Sequence, residues 1–173
     1  RGILLLVDAA QSAGHIPIDL ATTPIDLLAC PGHKGLLGPL GTGVLLIRSG
    51  VEEHMRTVRE GGTGSESERP VQPEALPDRF EAGSHNAPGI AGLCAAIEWI
   101  LDRGVATLRR HELDLTERMV ERLDDIPGLT WFGPRESRRR VGVFSVQING
   151  LEPNELSALL ESEFGILSRS GLH

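Results

Sequence analysis

The sequence is poor in several residue types that mark particular classes of protein. It has no tyrosine and only two cysteines, Cys30 and Cys94, which stand apart in apolar surroundings. This pattern excludes a disulfide framework and a cysteine metal site, so no metal is expected, and it fits a reducing cytoplasm. The formal net charge is −7, with no long basic tract and no apolar run of membrane-spanning length. Neither nucleic acid nor a membrane is therefore an expected partner.

Lysine is the scarcest charged residue, because all 17 basic residues are arginines except Lys34. Lys34 stands in a glycine-rich segment, between Gly32-His33 and Gly35. Arginine stays protonated and cannot form a Schiff base, whereas a desolvated lysine amine can lose its proton and attack a carbonyl. The segment therefore holds either a reactive lysine or a surface lysine in a glycine-rich turn.

Three short apolar runs predict strands of one α/β sheet, at residues 3–7, 25–30 and 43–48. The first run stops at Asp8, and the second leads directly into the segment of Lys34. Because open α/β sheets hold their ligands at the carboxyl ends of strands, we expect a site along one edge of this sheet. Asp8 belongs either to that site or to the cap of a following helix.

The rest of the chain reads as a long polar stretch followed by alternating helices and strands. A short helix is predicted over residues 51–59, and the polar stretch after it contains Gly61, Gly62 and Gly64. So long a connection in a compact domain is either functional or disordered. Apolar periodicity then predicts helices over 89–103 and 105–125, strands over 129–132 and 141–148, and a last helix that reaches Phe164.

Several motifs occur together in a fixed order. The segment Asp8-Ala9-Ala10-Gln11 precedes Gly32-His33-Lys34, and the segments 60–62, 79–86 and 165–173 follow. This combination resembles the class V aminotransferase family of fold type I pyridoxal 5'-phosphate (PLP) enzymes, and it is most similar to the cysteine desulfurase branch. The resemblance extends over the whole chain.

The resemblance implies an α/β fold in two parts. Residues 1–104 would form the C-terminal part of the large PLP-binding domain, which has a mostly parallel sheet. Residues 105–173 would form part of the small α+β C-terminal domain. The chain would then be a C-terminal-half fragment, and the nucleophilic cysteine of a desulfurase would come directly after His173.

The resemblance also implies roles for the residues around the cofactor. Lys34 would form the Schiff base with PLP and later carry protons for the reaction. Asp8 would pair with the pyridine nitrogen and keep it protonated. Gln11 would donate a hydrogen bond to the phenolic oxygen of PLP.

Further residues would bind the phosphate and the substrate. His33 would contact the phosphate, whereas Gly61 and Ser84 would reach the phosphate of the partner subunit, which implies a homodimer with shared active sites. Arg169 would receive the substrate α-carboxylate through its bidentate guanidinium. The histidines that match no site position of the family, and are expected to be ordinary surface or loop residues, are His15, His54 and His111.

The implied reaction takes sulfur from L-cysteine and gives L-alanine and a protein persulfide, with a sulfur-acceptor protein as partner. Within the same family, a selenocysteine lyase or an aminotransferase is the alternative. A third alternative is that these 173 residues are a truncated piece that cannot hold PLP. Loss of half a sheet would expose apolar strand edges, which favours aggregation.

Overall fold

The computed structural model describes residues 2–66 and 68–171, which form two compact units. The first unit ends at Ala106 and the second begins at Thr107. Each unit combines helices with a β-sheet, so the chain has a mixed α/β composition. No helix within the described ranges is both long and apolar enough to cross a bilayer.

The first unit is built on a sheet of three strands in the order β1 (Leu6–Asp8), β2 (Leu27–Pro31) and β3 (Gly43–Ile47). β1 and β2 run parallel, whereas β2 and β3 run antiparallel. The described part of the sheet is therefore mixed, with one parallel and one antiparallel pair, whereas the resemblance implied a mostly parallel sheet for the large domain as a whole. Residues 32–42 join β2 to β3, and this connection is too short for the helical crossover that a parallel return requires.

The apolar run at residues 3–7 forms a shorter and more exposed strand than predicted. Pairing begins at Leu5, whose carbonyl accepts the N–H groups of Asp26 and Leu27, each at 3.0 Å. Ile3 is 78% exposed and Leu6 is 56% exposed. β1 is an edge strand of the described sheet, and its side chains are largely uncovered.

The core of the first unit lies where the chain between β1 and β2 packs on the sheet. Ala9, Ile25 and Leu28 form its centre, and Ala9 has no exposed surface at all. Partly buried apolar residues from the same elements surround this centre: Val7, Ala13, Ile18, Leu20 and Cys30. The loop that follows β1 is therefore fixed by burial of apolar surface as well as by hydrogen bonds.

Helical structure after β3 is shorter than predicted. A 3₁₀ helix spans Val51–His54, Met55 is extended, and residues 56–59 are not helical. The Met55 carbonyl accepts a hydrogen bond from Arg79 Nη2 at 3.0 Å. This bond ties the extended chain to the long polar stretch in place of a further helical turn.

Two long helices, α1 (Ala87–Arg103) and α2 (Val105–Leu123), confirm the predicted helical spacing. Asn86 caps α1, because its Oδ1 accepts the Gly89 N–H at 3.1 Å. Gly104 separates the two helices with a φ of 80°, a conformation that favours glycine.

The second unit contains the antiparallel strands β4 (Leu129–Phe132) and β5 (Ser145–Ile148) and the helix α3 (Pro153–Phe164). β4 and α3 confirm the predicted elements. At the start of α3, Glu152 and Glu155 form a reciprocal capping box, in which each side chain accepts a backbone N–H of the first turn.

The strand predicted over residues 141–148 begins later, because the backbone before β5 is bound elsewhere. The Gly142 N–H donates to Glu112 Oε1 of α2 at 2.8 Å. The Val143 carbonyl accepts from Arg140 Nη2 at 2.6 Å. These residues are thus fixed by side chains and do not pair with β4.

Candidate active site

The parallel strands β1 and β2 end at the same edge of the sheet, and polar residues follow there. Asp8 is the last residue of β1 and lies opposite Ala29 of β2. The Ala9 N–H donates to the Ala29 carbonyl at 2.8 Å, which extends the pairing past the strand. Asp8 Oδ1 accepts the Ala10 N–H at 2.9 Å, as a capping residue does, and this bond engages one of the two carboxylate oxygens. Gln11 follows in the turn and is exposed.

Lys34 lies in a tight turn at the end of β2. The Gly38 N–H donates to the Gly32 carbonyl at 2.7 Å, and the Leu37 N–H donates to the Lys34 carbonyl at 2.9 Å. Leu37 has a φ of 58°, a left-handed conformation that is uncommon for a residue with a side chain. The turn therefore has a defined shape, and it leaves the side chains of His33 and Lys34 exposed.

The Lys34 turn and the loop after β1 touch through two glycines. Gly14 has a φ of 82°, and a Cβ atom at this position would overlap with the Gly35 carbonyl. A Cβ atom at Gly35 would overlap in turn with the Ala13 carbonyl. Because neither position has room for a side chain, the backbone that follows Asp8 lies directly against the backbone that follows Lys34.

Helix α1 also packs against the Lys34 turn, through Leu93. Cβ atoms at Gly32 and Gly38 would lie 3.2 and 2.7 Å from Leu93 Cδ1. Leu93 is only 6% exposed. The Gly32 N–H donates to the Thr42 carbonyl at 2.8 Å, which ties the turn to the start of β3. The turn is therefore held by β2, β3 and α1 together.

A second group of predicted site residues lies in the long polar stretch. The Gly83 N–H donates to the Gly62 carbonyl at 2.7 Å. A Cβ atom at Gly61 would lie 3.9 Å from the Cβ of Ala82. Gly61 and Ser84 therefore lie in two adjoining segments, and both are exposed.

Gln72 organises this polar stretch, although nothing in its local sequence marks it. Its Oε1 accepts the Gly61 N–H at 3.2 Å, so that donor is engaged within the chain. Its Nε2 donates to the carbonyls of Asp78 and Arg79 at 3.0 and 3.2 Å. The three partners lie six to eleven positions away along the chain, which no short motif can reveal.

Arg169 lies in the second unit, in the chain that follows α3. Gly165 ends α3 in a left-handed conformation with a φ of 65°. Ser157 Oγ lies 3.2 Å from the Ser168 carbonyl and 2.9 Å from the Ser168 Oγ, which anchors the segment to the helix. Arg169 is exposed beside this anchor. The last two residues of the predicted motif, 172 and 173, lie outside the described ranges.

A groove of about 770 Å³ runs along the sheet beside Asp8. Its lining is mainly apolar and includes Leu6 and Leu45 of the sheet and Phe80 of the polar stretch. Cys30 also lines the groove, and burial raises the pKa of its thiol. A raised pKa keeps the thiol protonated, so Cys30 is a weak nucleophile. Within the described residues, no group of three or more His, Cys, Asp or Glu side chains is arranged to hold a metal ion.

A protein-family model for aminotransferase class-V matches residues 1–173. The chain therefore belongs to the class V aminotransferase family.

Curated relatives that are cysteine desulfurases match along the whole chain. The chain is 36% identical to a probable cysteine desulfurase of Methanothermobacter thermautotrophicus, over 99% of the chain. It is 37% identical to a probable cysteine desulfurase of Pyrococcus abyssi and 34% identical to a cysteine desulfurase of Escherichia coli, over 100% of the chain in both cases. The chain spans only 43%, 43% and 42% of the lengths of these three relatives.

Solved structures of similar proteins match the fold. An apo cysteine desulfurase from Thermococcus onnurineus gives a TM-score of 0.85 at 36% identity, over 98% of this chain and 42% of that one. The cysteine desulfurase CsdA from Escherichia coli gives a TM-score of 0.78 at 29% identity, over 97% of this chain and 41% of that one. A variant of C-DES with glycine covalently linked to its PLP cofactor gives a TM-score of 0.79 at 26% identity, over 96% of this chain and 44% of that one. The mixed α/β chain thus matches fold type I PLP enzymes over the part that it covers.

The substitution Gln72→Met tests whether Gln72 holds the polar stretch in place. Methionine has a similar length but cannot donate to the Asp78 and Arg79 carbonyls, so we expect this stretch to open locally. Limited cleavage by trypsin after Arg79 should then accelerate by roughly three- to tenfold, because local opening controls cleavage. Mass spectrometry of the fragments measures the rate.

The matched control is Gln147→Met, the same change at an exposed position of β5. Its cleavage after Arg79 should proceed at the wild-type rate. Equal rates in the two variants would contradict the role of Gln72.

Proposed function

We propose that the protein is a PLP-dependent cysteine desulfurase. It would take the sulfur of L-cysteine, place it on a cysteine thiol as a persulfide, and release L-alanine. The observation that carries this proposal is the contact, at one sheet edge, between the backbone after Asp8 and the backbone after Lys34. Desulfurase relatives that are 34–37% identical along the whole chain indicate the reaction.

The side chains at this edge fit PLP by their chemistry. The pyridine nitrogen requires an acidic partner, and Asp8 has a carboxylate oxygen beyond the one that accepts the Ala10 N–H. The aldehyde requires a primary amine, and Lys34 carries the only lysine amine of the chain. The phosphate requires N–H and O–H donors: the exposed side chain of His33 would supply one at this edge, and the exposed hydroxyl of Ser84 would supply another from the partner subunit.

Each residue at the sheet edge would have a distinct task. When bound, PLP supplies an electron sink for the electron pair left on the substrate Cα. Asp8 would hold the proton on the pyridine nitrogen, and the Gln11 amide would donate to the phenolic oxygen. Lys34 Nζ would hold the cofactor before substrate arrives and would then move a proton to and from the substrate Cα. A guanidinium could not perform this task, because it stays protonated.

The proposed phosphate contacts require a dimer. His33 would donate from the chain that carries Lys34, whereas Ser84 would donate from the partner subunit. Gly61 would reach the same phosphate only by exchanging its N–H bond to Gln72 Oε1, of 3.2 Å, for a bond to the phosphate. Within one chain Gly61 and Ser84 belong to adjoining segments joined by the Gly83–Gly62 hydrogen bond of 2.7 Å. This pairing supports the proposal that the two residues reach across the interface as one unit.

Arg169 would bind the substrate α-carboxylate through two parallel N–H···O bonds. Its exposed side chain, in a segment anchored by Ser157, supports this role. The persulfide would form on a cysteine other than Cys30, whose raised thiol pKa makes it a weak nucleophile. A sulfur-acceptor protein would then take the sulfur.

The test is turnover by the protein in its full genomic length, supplied with PLP and L-cysteine. The wild type should form one alanine for each persulfide sulfur. Lys34→Arg keeps the positive charge but cannot bind an aldehyde, so alanine formation should fall by more than about 10³-fold. Mass spectrometry quantifies the alanine, and after borohydride reduction it should locate the pyridoxyl group on Lys34.

A matched control moves the lysine elsewhere, in the double variant Lys34→Arg/Arg118→Lys. Arg118 is exposed on α2, so this variant has the wild-type composition with its amine in a different place. It should have no pyridoxyl group at position 118 and no activity. A wild type that transaminates keto acids but releases no alanine from L-cysteine would contradict the proposal.

The substitution Ser84→Ala tests the phosphate contact. It removes one hydroxyl donor to a charged group, an interaction worth about 1.5–3 kcal/mol, so the affinity for PLP should fall roughly tenfold or more. The affinity for pyridoxal, which has no phosphate, should not change. Absorbance titrations with the two compounds measure both affinities.

Ser65→Ala removes an exposed hydroxyl from the same polar stretch and serves as the control. It should bind PLP and pyridoxal as the wild type does. If Ser84→Ala lowered the affinities for PLP and pyridoxal equally, Ser84 would have a structural role and would not contact the phosphate.

A further inference from the structure

His15 follows the Asp8 loop, and its imidazole lies against the backbone of the Lys34 turn. A Cβ atom at Gly35 would lie 2.7 Å from His15 Nε2, closer than real Cβ contacts allow. The ring is half-buried. Gly35 is the residue directly after Lys34, so this ring occupies the space into which the turn would otherwise shift.

The backbone that carries His15 is itself fixed. The His15 N–H donates to the Ser12 carbonyl at 3.0 Å, and the Ala13 N–H donates to the Ala9 carbonyl at 2.9 Å. Ala9 is fully buried, and its N–H donates to the Ala29 carbonyl of β2 at 2.8 Å. The imidazole is therefore mounted on a segment that is bonded to the strand leading into the Lys34 turn.

We propose that His15 is a positioning residue for Lys34, whose ring limits where the turn can place the lysine amine. The inference rests on the proposed function, in which Lys34 holds PLP. It also assigns a role to a histidine that the family motifs do not include. The contact is one of shape, since the ring fits only because Gly35 has no side chain.

A void beside Gly35 should let the turn move without unfolding the unit. The other supports of the turn, the Gly32–Thr42 hydrogen bond of 2.8 Å and the packing of Leu93, do not involve His15. A reacting group misplaced by about 1 Å can lose roughly 10²-fold in rate, so a small shift suffices to slow the capture of PLP by Lys34. Total binding of PLP depends on several other contacts and should change less.

The experiment compares His15→Ala and His15→Phe in the protein of full genomic length, with His111→Ala as the control. His111 is an exposed histidine of α2. Apo protein is mixed with PLP, the rate at which the visible band of lysine-bound PLP appears is recorded, and samples are quenched with borohydride. Peptide mapping gives the fraction of Lys34 that carries a pyridoxyl group, and equilibrium dialysis gives total bound PLP.

We expect His15→Ala to slow the appearance of the band by about tenfold or more, with total bound PLP within about twofold of the wild type. His15→Phe, which keeps a ring against Gly35, should stay within about threefold of the wild-type rate. His111→Ala should match the wild type. If His15 served only folding, its loss would lower total bound PLP and the fraction of Lys34 that carries a pyridoxyl group by the same factor. Slower capture by Lys34 with nearly unchanged total bound PLP is therefore specific to positioning.

Three results would overturn the inference: a wild-type rate in His15→Ala, equal losses in His15→Ala and His15→Phe, or a parallel loss of total binding. These results require a wild type that captures PLP on Lys34, and they leave the proposed function standing. A wild type with no pyridoxyl group on Lys34 would overturn the proposed function, and the role of His15 would fall with it.

Discussion

The close approach of two glycine backbones is the constraint on which the candidate active site depends. A Cβ atom at Gly14 would overlap with the Gly35 carbonyl, and a Cβ atom at Gly35 would overlap with the Ala13 carbonyl and the His15 ring. This contact joins the loop after β1 to the turn after β2, and each carries residues that the proposed chemistry needs. Parallel pairing of β1 with β2 brings both segments to one edge, and the glycine contact sets how closely they meet.

The remaining supports hold the same turn from other directions. Leu93 of α1 packs on Gly32 and Gly38, and Thr42 accepts the Gly32 N–H. The polar stretch follows a different principle, because it contains little regular structure and depends on the side-chain amide of Gln72 for its shape. The first site is therefore fixed by backbone packing, and the second by side-chain hydrogen bonds.

Apolar runs ending in Asp8 and leading into the Lys34 segment were enough to predict a site at one sheet edge, and apolar spacing predicted α1 and α2. The direction of β3 was not recognised, because an apolar run looks alike in parallel and antiparallel strands. The role of Gln72 was also missed, because its partners are distant in sequence. Local patterns therefore predicted which residues would carry the proposed chemistry, whereas the contacts that hold those residues appeared only in three dimensions.

The most direct test of this account is the amount of PLP that Lys34 captures in Gly35→Ala, measured as the borohydride-reduced pyridoxyl adduct. Gly50→Ala is the control, because Gly50 has a φ of 89° but no atom within 4 Å of an added Cβ, so it introduces backbone strain without a collision. The account predicts that Gly35→Ala forms at least about tenfold less adduct than the wild type, whereas Gly50→Ala forms the wild-type amount. A full adduct in Gly35→Ala would contradict the claim that the glycine contact assembles the site.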